Sequence, residues 1–300
     1  MTKKQLSLSG IIVAFTGAVL FSTKAVIVKK AFAHIHIEPL SLLAMRMLCS
    51  VPFYLAVVLW QRTKEQQSLT GKQKRQIVLL GLFGYYISSF LDFFGLQYIS
   101  AGLERLILFL YPTVVILINH FYFRQAIGPK HKWALLLTYA GIILAFVSEV
   151  HVNMQDGFFL GCLLIFLCAI TYAVYIAGSG QLIPIVGSTR FTAYAMLSAA
   201  AGVLLHYAVR GNYETITHAS ASIWVYGMLL AIIATVLPSF LVSLGLKKIG
   251  ADNSVIISSI GPISTILQAH FILGEPITLF QLLGTAFVIA GILLISLKGR

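Results

Sequence analysis

"SFLDFFGLQYISA" fills residues 89–101, and "SFLVSLGLKKIGA" fills residues 239–251, 150 positions further on. The same shift carries Pro112 onto Pro262, the "HF" at His120 onto the "HF" at His270, and the "AGI" at Ala140 onto the "AGI" at Ala290. From Ser89 to Leu144, 18 of 56 positions are identical without a gap. A shared apolar bias alone does not produce agreement of that density, and self-similarity at one fixed offset marks an internal repeat. The chain therefore divides into two copies of one unit, 1–150 and 151–300.

Each copy is built for lipid. Of the 300 residues, 59% are hydrophobic and 10% charged, with a mean hydropathy of +0.92; soluble domains run about 45–50% apolar and about 25% charged. A membrane-spanning helix needs about 20 mostly apolar residues. Ten stretches meet that need, at roughly 10–30, 41–60, 76–96, 103–122, 132–149, 158–178, 191–209, 222–245, 253–273 and 280–297. The first is too long for a signal-peptide core and no small-residue cleavage site follows it, so it reads as a retained helix. The longest polar gap, Gln61 to Lys74, holds no soluble domain. Cys49, Cys162 and Cys168 lie inside apolar runs and read as small buried residues, not disulfides.

The net charge of +12 does not point to nucleic acid, because the basic residues occupy short loops between apolar runs. That distribution encodes orientation. With the N-terminus in the cytoplasm, 15 Lys and Arg residues face inside, only Lys29, Lys30 and Arg210 face outside, and Lys24, Arg46 and Arg105 fall within helices. Five helices per copy is an odd number, so the copies enter the membrane in opposite directions. The expected fold is all-α and integral to the membrane, with ten helices in two inverted five-helix repeats. Inverted copies can exchange conformations, and a site between them can then face either side in turn.

Lys24, Arg46, Asp92, Glu104 and Arg105 are charges within helices, all in the first copy. Each would cost roughly 2.5–3.5 kcal/mol at a lipid-facing helix centre, so they are expected to face a wet cavity or one another. Helix length places all five in the outer third of the membrane. Helix nine carries Ser254, Ser258, Gly261, Thr265 and Gln268 at steps of four, three, four and three, which is one helical face. The 150-residue shift maps that stripe onto the face of helix four bearing Glu104 and Tyr111, so Glu104 is expected to project into a central cavity with Arg105 on its flank. Pro112 and Pro262 are expected to kink their helices and free the carbonyls of Leu108 and Ser258.

Plainer roles stand beside these. Asp92 can be the partner of Lys24 or Arg46, since buried charges usually pair. Arg46 reads as structural, tying helix two to its neighbours. Glu104 and Arg105 can cap the start of helix four, and the Ser–Gly–Thr–Gln stripe can be close helix packing. "GSGQLIP" (178–184) reads as a turn leaving helix six. There is no phosphate loop, zinc-spaced cluster or Ser–His–Asp pattern, so neither a metal nor a cofactor is expected, and an enzyme is disfavoured.

The C-terminal segment "GPISTILQAHFILGEPITLFQLLGTAFVIAGILLIS" (261–296), with its "GEPIT" loop (274–278) and Gln281, Gly284 and Gly291, resembles the drug/metabolite transporter superfamily, EamA type. "LFSTKAVIVKKAF" (20–32), "LLAMRML" (42–48) and "SAGLERLILFLYP" (100–112) are similar to one bacterial branch of it. The resemblance covers essentially the whole chain. It implies a multi-pass carrier of the bacterial inner membrane with a central cavity bounded by helices one, three, four, six, eight and nine. The expectation is a secondary-active exporter of small polar metabolites such as amino acids, working by alternating access. Lys24, Asp92, Glu104, Arg105 and Tyr111 would form one wall of the substrate site and Ser258, Thr265 and Gln268 the other, with Arg46, Pro112 and Pro262 structural. The net charge of the in-helix cluster favours a carboxylate-bearing substrate, and Asp92 or Glu104 is the expected proton-coupling group. The alternative is a lipid-carrier flippase, or a membrane enzyme, that uses the same charges on a lipid headgroup. A loop-glutamate role is carried over only to Glu275, since the first copy has Arg124–Gln125 where the second has Gly274–Glu275.

Overall fold

A computed structural model describes residues 8–62, 69–122, 124, 129–153, 156–242, 244–245, 248, 257 and 260–296. Its regular structure is helical. We label α1 (Leu8–Ile35), α2 (Pro39–Arg62), α3 (Gly71–Gly95), α4 (Ala101–Leu108 and Tyr111–Phe121), α5 (Pro129–Asn153), α6 (Phe158–Val186), α7 (Ser188–Arg210), α8 (Ala221–Val242), α9 (Gly261–Leu273) and α10 (Leu279–Ser296). One turn of helix, Tyr213–Thr217, precedes α8. Among the described residues seven helices are long and apolar enough to cross a membrane: α1–α4 and α6–α8. Exposed Phe, Leu, Trp and Ile side chains on their outer faces fit lipid as the surrounding medium.

The 150-residue offset extends beyond the matching sequence. It lays α1 on α6, α2 on α7 and α3 on α8, boundary for boundary, although α1 and α2 show no obvious identity with their counterparts. It also relates two π-helical turns, Leu82–Ile87 in α3 and Ile232–Val236 in α8. The packing repeats too: α1 lies on α9 as α6 lies on α4, and α2 on α8 as α7 on α3, while α2 meets α7, α4 meets α9 and α5 meets α10. The backbone amide of Ala101, at the start of α4, bonds the side chain of Glu275, just past the end of α9. These two repeat-equivalent helices therefore run antiparallel.

Pro112 follows an outright break in α4, which stops at Leu108 and resumes at Tyr111, and Pro262 stands just inside the described start of α9. Leu110 N–H donates to Ile107 O (2.9 Å) and Ile260 N–H donates to Ile257 O (3.2 Å), a tight turn at equivalent places. New helices start at Tyr111 and Gly261, which puts Pro112 and Pro262 in their first turns, where a missing N–H removes no bond. The glycines of 178–184 do not end α6, which runs on to Val186 and stops at Gly187, φ +86°. Gly178 instead faces Leu80 of α3, and a Cβ there would lie 2.5 Å from Leu80 Cδ2. Close helix approach accounts for that glycine.

The start of α4 is doubly capped. Ser100 Oγ accepts from Leu103 N–H, and Glu275 accepts from the amides of Ala101 (3.0 Å) and Gly102 (3.4 Å). The Glu275 carbonyl in turn accepts from His270 Nδ1 at 2.9 Å. The "GEPIT" loop thus fastens the second copy onto the first. Glu275→Ala should cost about 1 kcal/mol, the usual worth of an N-terminal cap, and lower the melting temperature of the purified protein by roughly 2–4 °C. An unchanged melting curve would show that this cap carries no stability.

Candidate functional site

Lys24 lies in the second half of α1, Asp92 in the last turns of α3 and Glu104 in the first turn of α4. Lys24 Nζ is 2.7 Å from Asp92 Oδ2 and 3.3 Å from Glu104 Oε1. The lysine side chain is 14% exposed, Asp92 1% and Glu104 0%. One ammonium therefore joins three helices of the first copy. The π-turn in α3 is part of the reason: it adds a residue to one turn, which rotates everything beyond it, Asp92 included, by about 100°. Two carboxylates on one ammonium leave a surplus negative charge in the direct ion-paired group.

The two arginines stand apart from that group, although both are near enough to feel its carboxylates. Arg46 is buried. Its Nε donates to Thr235 Oγ1 (2.8 Å), its Nη1 donates to Ser89 Oγ (3.3 Å), and its guanidinium lies 5.5 Å from the Phe93 ring centre. Thr235 can accept there because the π-turn of α8 lets its own hydroxyl donate back to Leu230 O at 2.7 Å. Arg46 is thus a strut linking α2, α3 and α8. Arg105 is half-buried and stacks on Phe109 at 5.3 Å. Its Nη2 rests against the start of α9, where a Cβ on Gly261 would be only 2.8 Å away. Among the described residues its buried Nε has no hydrogen-bond partner.

Beside Arg105 runs a wall of tyrosines from α3, α4 and α6. Tyr111 meets Tyr172 edge-on at 5.2 Å, Tyr172 stacks on Tyr175 at 5.9 Å, and Tyr175 meets Tyr85 edge-on at 4.9 Å. Tyr85, Tyr111 and Tyr172 keep accessible surface. Gly84 makes room for this wall, since a Cβ there would lie 2.3 Å from the Tyr175 ring. The sequence singles out Tyr111 for the site but leaves core packing as the default for Tyr85, Tyr172 and Tyr175; only the side-chain juxtaposition shows all four clustered beside a guanidinium.

The residues singled out from sequence thus separate into several places. Lys24, Asp92 and Glu104 come together. Glu104, expected to look into an open cavity, is fully enclosed, because Lys24 replaces water as its partner. Arg105 and Tyr111 meet the tyrosine wall. Thr265 is fully buried in the α1–α9 contact, where its hydroxyl donates to Ser22 O (3.3 Å) and the Ser22 hydroxyl reaches Gly261 O (3.1 Å). Gln268 donates to Ser264 Oγ and lines a separate cavity of about 530 Å³ between α1, α8 and α9. Ser258 and Ser254 lie outside the described residues.

Comparison with known proteins places this arrangement. The model of the EamA-like transporter family matches twice, over residues 8–147 and 159–297. A protein of Bacillus subtilis (strain 168) named "Uncharacterized transporter YcbK" is 31% identical over 292 residues, covering 94% of this chain and 92% of that one. "Uncharacterized transporter YyaM" of the same strain is 22% identical over 77% of this chain and 76% of its own, and an "Uncharacterized transporter" of Archaeoglobus fulgidus is 23% identical over 75% and 77%. A solved structure titled "Crystal structure of protein" superposes with a TM-score of 0.67 at 18% identity, covering 96% of both chains, which is a likeness of fold. With one family module filling each of its two copies, the chain belongs to the EamA-like transporter family.

Proposed function

We propose that this membrane transporter is a secondary-active exporter of small polar metabolites, amino acids among them, that works by alternating access between two inverted five-helix halves, 1–150 and 151–300. In this reading the chain crosses the bacterial inner membrane ten times with both termini in the cytoplasm, in line with the distribution of Lys and Arg. The observation that carries it is the asymmetric charge. Lys24, Asp92 and Glu104 form a buried ionic group in the first copy, while the equivalent positions of the second hold Val174, Val242 and Ser254. Charge held inside a membrane helix bundle is costly and belongs to a substrate or proton pathway by default.

Arg105, with its unpartnered Nε, supplies donors for a substrate carboxylate, and Tyr85, Tyr111 and Tyr172 supply a flat amphipathic wall. The surplus negative charge of the triad suits a proton as coupling ion. The break in α4 and the turn that opens α9, at equivalent positions, offer paired bending points between the halves. Reconstituted in liposomes, the protein should exchange labelled amino acids saturably and faster with an imposed pH gradient. Asp92→Asn and Glu104→Gln should each uncouple uptake from that gradient; wild-type rates in both would remove the carboxylates from the coupling step.

One observation favours the flippase reading: the walls of the 530 Å³ cavity between α8 and α9 include Val225 and Ile272, which are exposed on the protein surface. The Lys24 triad does not line it, however, so the charged group and the lateral opening are separate features.

A further inference from the structure

We propose that the lateral groove between α8 and α9 holds one acyl chain of an anionic bilayer phospholipid, with the headgroup phosphate on Lys30. The groove is floored by Val26 and Ile27 of α1 and walled by Val225, Leu229 and Ile233 of α8 and Ile272 of α9. Its apolar walls continue onto faces that meet lipid: Val225 and Ile272 are themselves exposed, as are Trp224 and Phe271 beside them. An apolar recess open to hydrocarbon fills with hydrocarbon, because lipid tails are the solvent there.

Length selects the occupant. Along α1 the groove runs from Thr23 to His34, and the part below Lys30 is about 10 Å deep at 1.5 Å per residue, within the depth of one leaflet of the roughly 30 Å hydrocarbon core, so it takes the upper part of a single acyl chain. Charge selects its headgroup. Lys30 and His34 stand at the mouth, and among the described residues no aspartate or glutamate lines the groove. Lys29 turns the other way and donates to Ile99 O at 2.6 Å, so Lys30 is the cation presented to the groove. At the mouth His34 Nδ1 and Tyr226 Oη lie 3.4 Å apart, which joins α1 to α8 above the chain. The face of α1 involved, Thr23, Ile27, Lys30 and His34, is distinct from the face that carries Lys24 to its carboxylates, so this lipid site stands whether or not the triad moves protons.

The test is native mass spectrometry of the full chain after reconstitution in equimolar phosphatidylglycerol and phosphatidylcholine of identical acyl chains. The wild type should retain one lipid through detergent removal, with phosphatidylglycerol favoured about fivefold, the preference expected of a single basic residue near the headgroups. Lys30→Gln, at an exposed position, should bring that ratio to about one while a lipid is still retained. Ala221→Trp, also exposed and set across the mouth, should reduce retention of both lipids severalfold. An unchanged ratio in Lys30→Gln overturns the headgroup assignment; full retention in Ala221→Trp, or bound detergent in place of lipid on the wild type, overturns the site.

Discussion

Lys24→Met should destabilise the protein by about 3–5 kcal/mol, the cost of leaving a buried charge without its partner. At the 2–4 °C per kcal/mol expected for a chain of this size, the melting temperature in detergent should fall by about 10 °C. The reason is arithmetic: one ammonium serves two carboxylates that are 1% and 0% exposed, so a single substitution strands both. The neutral triple variant Lys24→Met, Asp92→Asn, Glu104→Gln should recover most of the lost stability, since no unpaired charge remains, yet fail to transport. This pattern separates two roles. If the triple variant still transports in a gradient-dependent way, the triad is only a strut; if it melts as low as Lys24→Met alone, the ion pairs are not what was lost.

The second large effect concerns helices far from the charges. Gly141 of α5 and Gly284 of α10 face each other so closely that a Cβ on either would lie 2.4 Å from the carbonyl oxygen of the other. Backbone cannot swing aside as a side chain does, so Gly141→Val must push the two helices apart. A cost of about 3 kcal/mol, the upper end for overpacking, corresponds to a fall of roughly 6–12 °C in melting temperature. Gly180→Ala on α6 is the control: no described residue lies within 4 Å of a Cβ there, and alanine should be neutral or stabilising by helix propensity. A thermal scan in which both variants melt like the wild type would mean that α5 and α10 do not bear on each other as tightly as their backbones suggest.

The weak sequence match between α1–α2 and α6–α7 shows how little residue identity a membrane repeat needs. Helix length and apolar character carry the fold, and many side chains satisfy them, so those boundaries repeat 150 residues apart while the residues drift. Identity survives where geometry is demanding: Pro112 and Pro262 stand in the first turns of helices that begin after a tight turn, and Gly141, repeated at Gly291, lies in a helix contact with no room for a Cβ. Loss of symmetry is equally informative. Arg46 has Met196 as its counterpart and Thr235 has Tyr85, so the strut that joins the two copies is not repeated, although its third member, Ser89, recurs at Ser239.

Composition, the 150-residue offset and the distribution of basic residues determined by themselves a helical membrane protein of two related halves, because bilayer thickness and backbone hydrogen bonding leave a hydrophobic chain few alternatives. They also picked out the in-helix charges, whose cost in lipid makes them conspicuous. Which charges pair was decided only by tertiary structure. Lys24 took both carboxylates, Arg46 went to Thr235 and Ser89, and Arg105 went to Phe109, because rotation about each helix axis depends on π-turns and helix breaks that no periodicity reveals. The lateral groove likewise exists only where α8 and α9 both lean on α1, a matter of packing between segments some 200 residues apart.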